Sequence, residues 1–364
     1  MKQLISPLLL LFFTVHLSAQ SLLRYPSISP DGNSISFSYQ GDIWVAPSQG
    51  GTAKRLTIHE SYESHPKWSP DGQKIVFQGN RFGNNDLFVT DPSGNQPRRL
   101  THYSGSDGSA SWGPRGEILF NSNRFYQQVE RDPEIYAISA EGGTPSRKID
   151  GFGFKPIASP DGRYIAMERG NCRYVREAYR GPANRDIWVY DTKTEKYVQV
   201  TMDEGQDILP AWGSNNTLFF LSARKGRYNI YNVTLSDGAL NGKPKSVTNY
   251  KDEGIRNFDI KGSNIVFEKD MHLYTMNSNG GRAKQLNIDV TKDYRFDPEE
   301  YETFTSGVRG YDVSPNGKYM AMVIRGEIFI QPEDKDKKRA VQVAAHSHRE
   351  QNVNWLNDST LLFV

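Results

Sequence analysis

Acyl transfer is the first chemistry to test for in this chain, because Gly105-Ser106-Asp107-Gly108 sets a serine near two glycines. A nucleophile elbow needs Gly-x-Ser-x-Gly on a strand-to-helix turn, and this stretch has the wrong spacing in a mature chain that shows no helical period. No catalytic residue is assigned. His59, His65 and His102 read as loop residues entering the second and third repeats, either a peptide-contacting rim or ordinary solvated histidines, with no partner acid evident in the sequence. His346 and His348 lack a third ligand at a recognisable spacing, so no metal and no cofactor is expected. Arginine offers more. Asn80-Arg81-Phe82 and Asn123-Arg124-Phe125 are duplicates echoed by Arg224, which makes the three arginines peptide-contact candidates or a repeated structural ion pair. Arg173, Arg176, Arg180 and Arg185 crowd one stretch that the repeat itself does not need, and they complete the set of candidates.

The elements that must position these residues come from a repeat. Each copy runs through an apolar or aromatic residue, Ser-Pro-Asp-Gly, an apolar alternation, Asp-Ile-aromatic, a Gly turn and Arg-Leu-Thr. The first copy has Ser29-Pro30-Asp31-Gly32, Asp42-Ile43-Trp44 and Arg55-Leu56-Thr57; the second has Ser69-Pro70-Asp71-Gly72, Asp86-Leu87-Phe88 and Arg99-Leu100-Thr101. Weaker copies come next, and the pattern returns in strength at Ser314-Pro315-Asn316-Gly317 with Glu327-Ile328-Phe329. The Asp-Ile-aromatic step recurs every 43 to 55 residues, the period of four-stranded propeller blades. Asp-Gly and Asn-Gly supply the positive φ of a hairpin corner, and the carboxylate of such a turn bonds its own backbone rather than a metal or substrate. The expected fold is all-β: a six-bladed β-propeller of four-stranded antiparallel blades over 21–290, a linker over 291–310, and the start of a second propeller over 311–364, which the family resemblance given below makes seven-bladed. Each blade is contiguous in sequence, so the ring should close with no strand exchanged and a bare seam between blades one and six.

Composition agrees with a packed globular chain. Lys plus Arg number 44 against 42 Asp plus Glu, interspersed, for a net charge of +2, which gives no reason to expect a nucleic-acid partner. The lone Cys172 permits no intrachain disulfide and reads as a small buried group. Lys2, the apolar run Leu8 to Val15 and Ser18-Ala19-Gln20 have the layout of a secretory signal peptide over 1–20, too short to span a membrane, so a periplasmic or secreted protein is expected. The sequence stops at Leu361-Leu362-Phe363-Val364, in mid-blade, which reads as a fragment of a longer protein.

The repeat as a whole looks like that of TolB-like propellers. Two stretches, Glu177-Ala178-Tyr179-Arg180-Gly181-Pro182-Ala183-Asn184-Arg185-Asp186-Ile187-Trp188 and Ala321-Met322-Val323-Ile324-Arg325-Gly326-Glu327-Ile328-Phe329-Ile330-Gln331, are similar to segments of tricorn proteases. That resemblance implies the non-catalytic front of an exported serine peptidase, with PDZ-like and peptidase domains further on. It also implies that the propeller gates or guides peptides or unfolded protein segments, and it allows for a homo-oligomer. Family members can carry an arginine pair after the second blade, thought to hold a peptide's C-terminal carboxylate; here that stretch is Ser104-Gly105-Ser106-Asp107-Gly108, and the carry-over fails. A TolB-like periplasmic binding scaffold, or the propeller of a prolyl-oligopeptidase-like hydrolase, is the alternative reading.

Overall fold

The turns show first why these residues make short antiparallel meanders. In the computed structural model, which describes residues 22–124, 133–291, 303, 305–334, 339–343 and 348–364, Ser29 Oγ donates to Asp31 Oδ1 at 2.5 Å and the Asn33 amide donates to the same oxygen at 3.1 Å. Ser69, Asp71 and Gln73 repeat this arrangement, as do Ser159, Asp161 and Arg163, and Ser314, Asn316 and Lys318. The turn carboxylates are committed to their own corners. Hydrogen bonds from Ser29 and the Asn33 amide hold Asp31 below the usual carboxylate range, and those from Ser69 and the Gln73 amide do the same for Asp71.

Six four-stranded antiparallel sheets succeed one another in chain order. Their inner strands are Arg24–Ile28, Glu63–Trp68, Asp107–Trp112, Phe154–Ala158, Asp207–Ser214 and Asn257–Lys261. Each inner strand touches the next around the ring, and the sixth touches the first. Alternating residues of the second strands, among them Ile35, Phe37, Ile75, Phe77, Ile118 and Phe120, are fully buried, which is why no blade could stand alone. The Asp-Ile-aromatic and Arg-Leu-Thr steps form a lock across strands three and four. Thr57 Oγ1 accepts the Ile43 amide at 2.9 Å while Arg55 Nη2 pairs with Asp42 at 2.5 Å; Thr101, Arg99 and Asp86 do the same in blade two.

The bare seam is a correction. Among the described residues no strand is exchanged between blades, but Ile288–Asp289, beyond the last strand of blade six, pairs in parallel with Gly51–Thr52 of blade one. The Gly51 amide donates to Asn287 O and the Ala53 amide to Asp289 O, both at 2.8 Å. Val266 and Leu273 of blade six share one core cluster with Ile28, Phe37 and Trp44 of blade one.

The chain divides into two compact units, 1–291 and 292–364. The second carries one four-stranded sheet from Val308–Val313 through Val341–Gln342 and a hairpin of Asn354–Asn357 with Thr360–Leu362. Among the described residues no helix is long and apolar enough to cross a membrane. The expected signal segment lies outside them.

Candidate functional site: an axial channel

The inner strands are irregular in the same place. Tyr25, His65, Ser109, Lys155 and Leu209 have φ of 54°, 57°, 53°, 52° and 53°, and each sits at a register shift in the first strand of its blade. Left-handed backbone costs an L-residue about 1–2 kcal/mol. Sequence explains why it recurs: the next residue is Pro26, Pro66, Pro156 or Pro210 in four blades and Ala110 in the other, and a proline has no N–H to lose where the ladder breaks. In three of the five blades the freed amide of the bulged residue is met from the preceding blade. Asn121 Oδ1 accepts Lys155 N at 2.8 Å, Glu168 Oε1 accepts Leu209 N at 2.7 Å, and Glu268 Oε2 accepts Tyr25 N at 3.2 Å across the seam.

These bulges aim their side chains at the axis. With Asn257 of blade six they ring a cavity of about 90 Å³, and Lys67, Ser111, Ile157 and Asp259 are shared with a second cavity of about 290 Å³ that opens among the Pro30, Pro70, Pro114 and Pro160 turns. Lys67 Nζ lies 3.4 Å from Asp259 Oδ1, and Asp259 Oδ2 also accepts Ser27 Oγ at 2.6 Å and Ile28 N at 3.2 Å. Burial works to raise the Asp259 pKa, but Lys67, Lys261 and these hydrogen bonds outweigh it and hold it low. His65 stacks on Tyr25 with ring centroids 3.6 Å apart; burial first, then Lys155, Lys67 and Arg24, push its pKa down to about 3, so it is neutral. Lys155 is pushed below the usual lysine range by burial first and by Arg185 and Lys67, against the pull of Glu168.

The sequence candidates fall elsewhere. Arg81 Nε pairs with Glu63 at 2.5 Å, Arg124 with Asp107, and Arg224 Nη2 with Asp207 at 3.1 Å, each carboxylate being the buried first residue of its own blade's inner strand. Of the two readings the sequence allowed, this geometry is the repeated ion pair. His65 is not a loop residue: it stands inside Glu63–Trp68 and lines the channel. His59 stays in its loop, with Nδ1 2.8 Å from Ser61 Oγ, and His102 lies outside any strand. His346 lies outside the described residues.

The blade-four insertion, residues 170–185, straps the adjoining blades. Gln206 Nε2 donates to Arg176 O at 2.7 Å, Arg180 Nη2 to Ala223 O at 2.9 Å, and buried Glu177 lies 3.6 Å from Arg256 and 3.8 Å from Arg227. Arg173, Arg176 and Arg180 are exposed, whereas Arg185 is buried, with Nη1 3.1 Å from Glu168 and Nε on Cys172 O at 2.8 Å. Cys172 is free and buried. The strap also delivers Tyr174, whose ring lies 4.6 Å from Lys155 Nζ and 4.5 Å from the Arg185 guanidinium carbon, and whose hydroxyl donates to Glu168 at 2.7 Å.

The sequence reading missed Tyr25, Lys67, Lys155, Tyr174 and Asp259. A signal existed for the ring: Tyr25-Pro26, His65-Pro66 and Lys155-Pro156 each stand at the same distance ahead of a Ser-Pro turn.

Residues 20–282 match the family described as the tricorn protease N-terminal beta propeller domain. A tricorn protease homolog of Saccharolobus solfataricus is 23% identical over 323 residues, 87% of this chain and 29% of the relative. The tricorn protease of Thermoplasma volcanium is 24% identical over 328 residues, 85% of this chain and 30% of its own length. A crystal structure of the tricorn protease superposes with a TM-score of 0.65 at 20% identity, over 94% of this chain and 33% of that one, a likeness of fold. The chain therefore spans less than a third of the length of the two curated relatives.

Proposed function

Because the chain belongs to the tricorn protease N-terminal β-propeller family, we propose that unit one is the non-catalytic propeller of an exported tricorn-like serine peptidase and that its axial channel guides peptides to or from a catalytic domain elsewhere in the same protein. The observation that carries this is the channel itself. Five strained bulges place a different side chain from each of five blades on one axis, and local strain recurring around a cavity supports a site there. Open cavities at two levels of that axis, joined by Lys67, Ser111, Ile157 and Asp259, suit an extended peptide better than a compact cofactor. Export belongs to the same proposal and rests on the charged, apolar and small-residue order of residues 1–20; intact mass of the exported product should show loss of that segment.

The test of guidance is a block. Ile157 lines both cavities, so Ile157→Trp in the complete protein should slow hydrolysis of long peptides about tenfold while small fluorogenic substrates turn over as before. Equal loss on both, with folding intact, would mean the channel is not a passage.

A further inference from the structure

The charges that face the inner cavity do not balance. Asp259 is matched by Lys67 and by two further hydrogen bonds, and His65 is neutral. Glu168, the carboxylate nearest in influence to Lys155, is already engaged by Arg185 Nη1 at 3.1 Å, the Tyr174 hydroxyl at 2.7 Å and the Leu209 amide at 2.7 Å. Arg24 pairs with Glu268, which also accepts Asn257 Nδ2 at 2.9 Å. One charge is left over. Among the described residues no carboxylate lies within ion-pair distance of Lys155 Nζ, whose described company is the face of Tyr174. Lys155 is half-buried against the cavity, where an ammonium without a counter-charge is partly desolvated, and an anion that enters the cavity offsets that cost.

We propose that Lys155, roofed by Tyr174, is a binding site for one carboxylate group in the propeller channel. The ligand class comes from the charge and the space. A single unmatched positive charge suits a monoanion and not a phosphate dianion, and about 90 Å³ admits a carboxylate with its nearest carbons but no large headgroup. The apolar walls given by Leu209, Phe258 and Ile157 fit the carbon chain that carries the carboxylate. Its bearer is either the C-terminus of an extended peptide or a free small acid. The first deepens the proposed guidance of peptides and rests on it; the second does not.

The experiment is calorimetric titration of the chain with N-acetyl-trialanine as its free acid and as its carboxamide, and with sodium acetate. The acid should bind about tenfold tighter than the amide, the usual worth of one charge-assisted contact. Lys155→Met should erase that preference and Lys155→Arg should keep it, which separates charge from folding. Acetate should compete with the peptide acid in the parent chain and not bind the Lys155→Met variant. Acetate binding that depends on Lys155, with no binding of the peptide acid, supports the carboxylate site and overturns peptide guidance. Acid and amide binding alike, indifferent to Lys155→Met, overturns the site and leaves guidance standing. Absence of all binding overturns the site.

Discussion

At the scale of single residues, the arginines of the second-to-third-strand loops pair with buried carboxylates of their own blades' inner strands. Arg124 joins the inner strand to the loop through Asp107, whose side chain is 0% exposed, and stacks 5.1 Å from Tyr103. Arg124→Ala strands that carboxylate and should cost about 3 kcal/mol, read as a lower urea midpoint at unchanged slope. A more telling residue is missing from its place. Blades one to three set Arg55, Arg99 and Arg147 against the acid that opens strand three, but blade four has Gln199, so Asp186 receives an amide at 3.2 Å and the Thr201 hydroxyl at 3.3 Å where the others receive a guanidinium. Burial first, then Asp207, raise Asp186 to about 7, while burial raises Asp207 to about 6 even with Arg224 opposing it. Both groups bind protons more tightly folded than unfolded, so between about pH 4 and pH 7 unfolding releases protons. Their contribution is fully present below the unfolded values and is lost as pH rises through 6 and 7. The melting temperature should therefore fall from pH 5 to pH 8, and Gln199→Arg should flatten that slope and add about 1 kcal/mol at pH 8. A slope unchanged by Gln199→Arg would show that Asp186 is not its source. The sequence displayed this departure from the repeat, but a consequence in proton binding needs the burial that only the packed neighbours provide.

Elements were the most legible level. The corners, the Asp-Ile-aromatic strands and the Arg-Leu-Thr edges are local patterns, so the blades could be read from one strand's chemistry at a time. Local pattern cannot carry the closure of the ring. Ile288–Asp289 meets Gly51–Thr52 across more than two hundred residues, and a two-residue parallel ladder leaves no periodicity to detect. The inward aim of Lys155 was hidden for a related reason: the X-Pro step that marks its bulge, as it marks those of three other blades, does not say which way the side chain turns, and the bond from Asn121 that fixes it comes from another blade. The latch can be separated from the strain of its turn. Gly50 and Gly51 have φ of 95° and 112°, so alanine at either should cost about 1–2 kcal/mol. A Cβ on Gly51 would meet nothing within 4 Å, whereas one on Gly50 would lie 2.6 Å from Asn287 O. Gly50→Ala should thus destabilise clearly more than Gly51→Ala and speed amide exchange at Gly51 and Ala53. Equal effects of the two would mean that the latch adds nothing to closure.

For the whole molecule, the division into 1–291 and 292–364 sets two bodies of very different solidity side by side in sequence. Among its described residues unit one holds six core clusters that run from blade to blade around the ring. Among its described residues unit two has one cluster of four buried residues, Ala321, Val323, Ile328 and Val353, and leaves Tyr311 at 70% and Val341 at 64% exposure. Stability rises with the fraction of apolar surface removed from water, and a unit of this size with so small a core is marginal by itself. Heating the chain should therefore give two transitions by calorimetry: a low, broad one from unit two, then a sharp one from the propeller. A chain of residues 22–291 should lose the first and keep the second at its original temperature, because the ring is closed within that span by the Ile288–Asp289 latch and the Glu268 bond to Tyr25. A single transition that moves down when residues 292–364 are removed would show that the propeller depends on unit two, and independence of the two units would have to be given up.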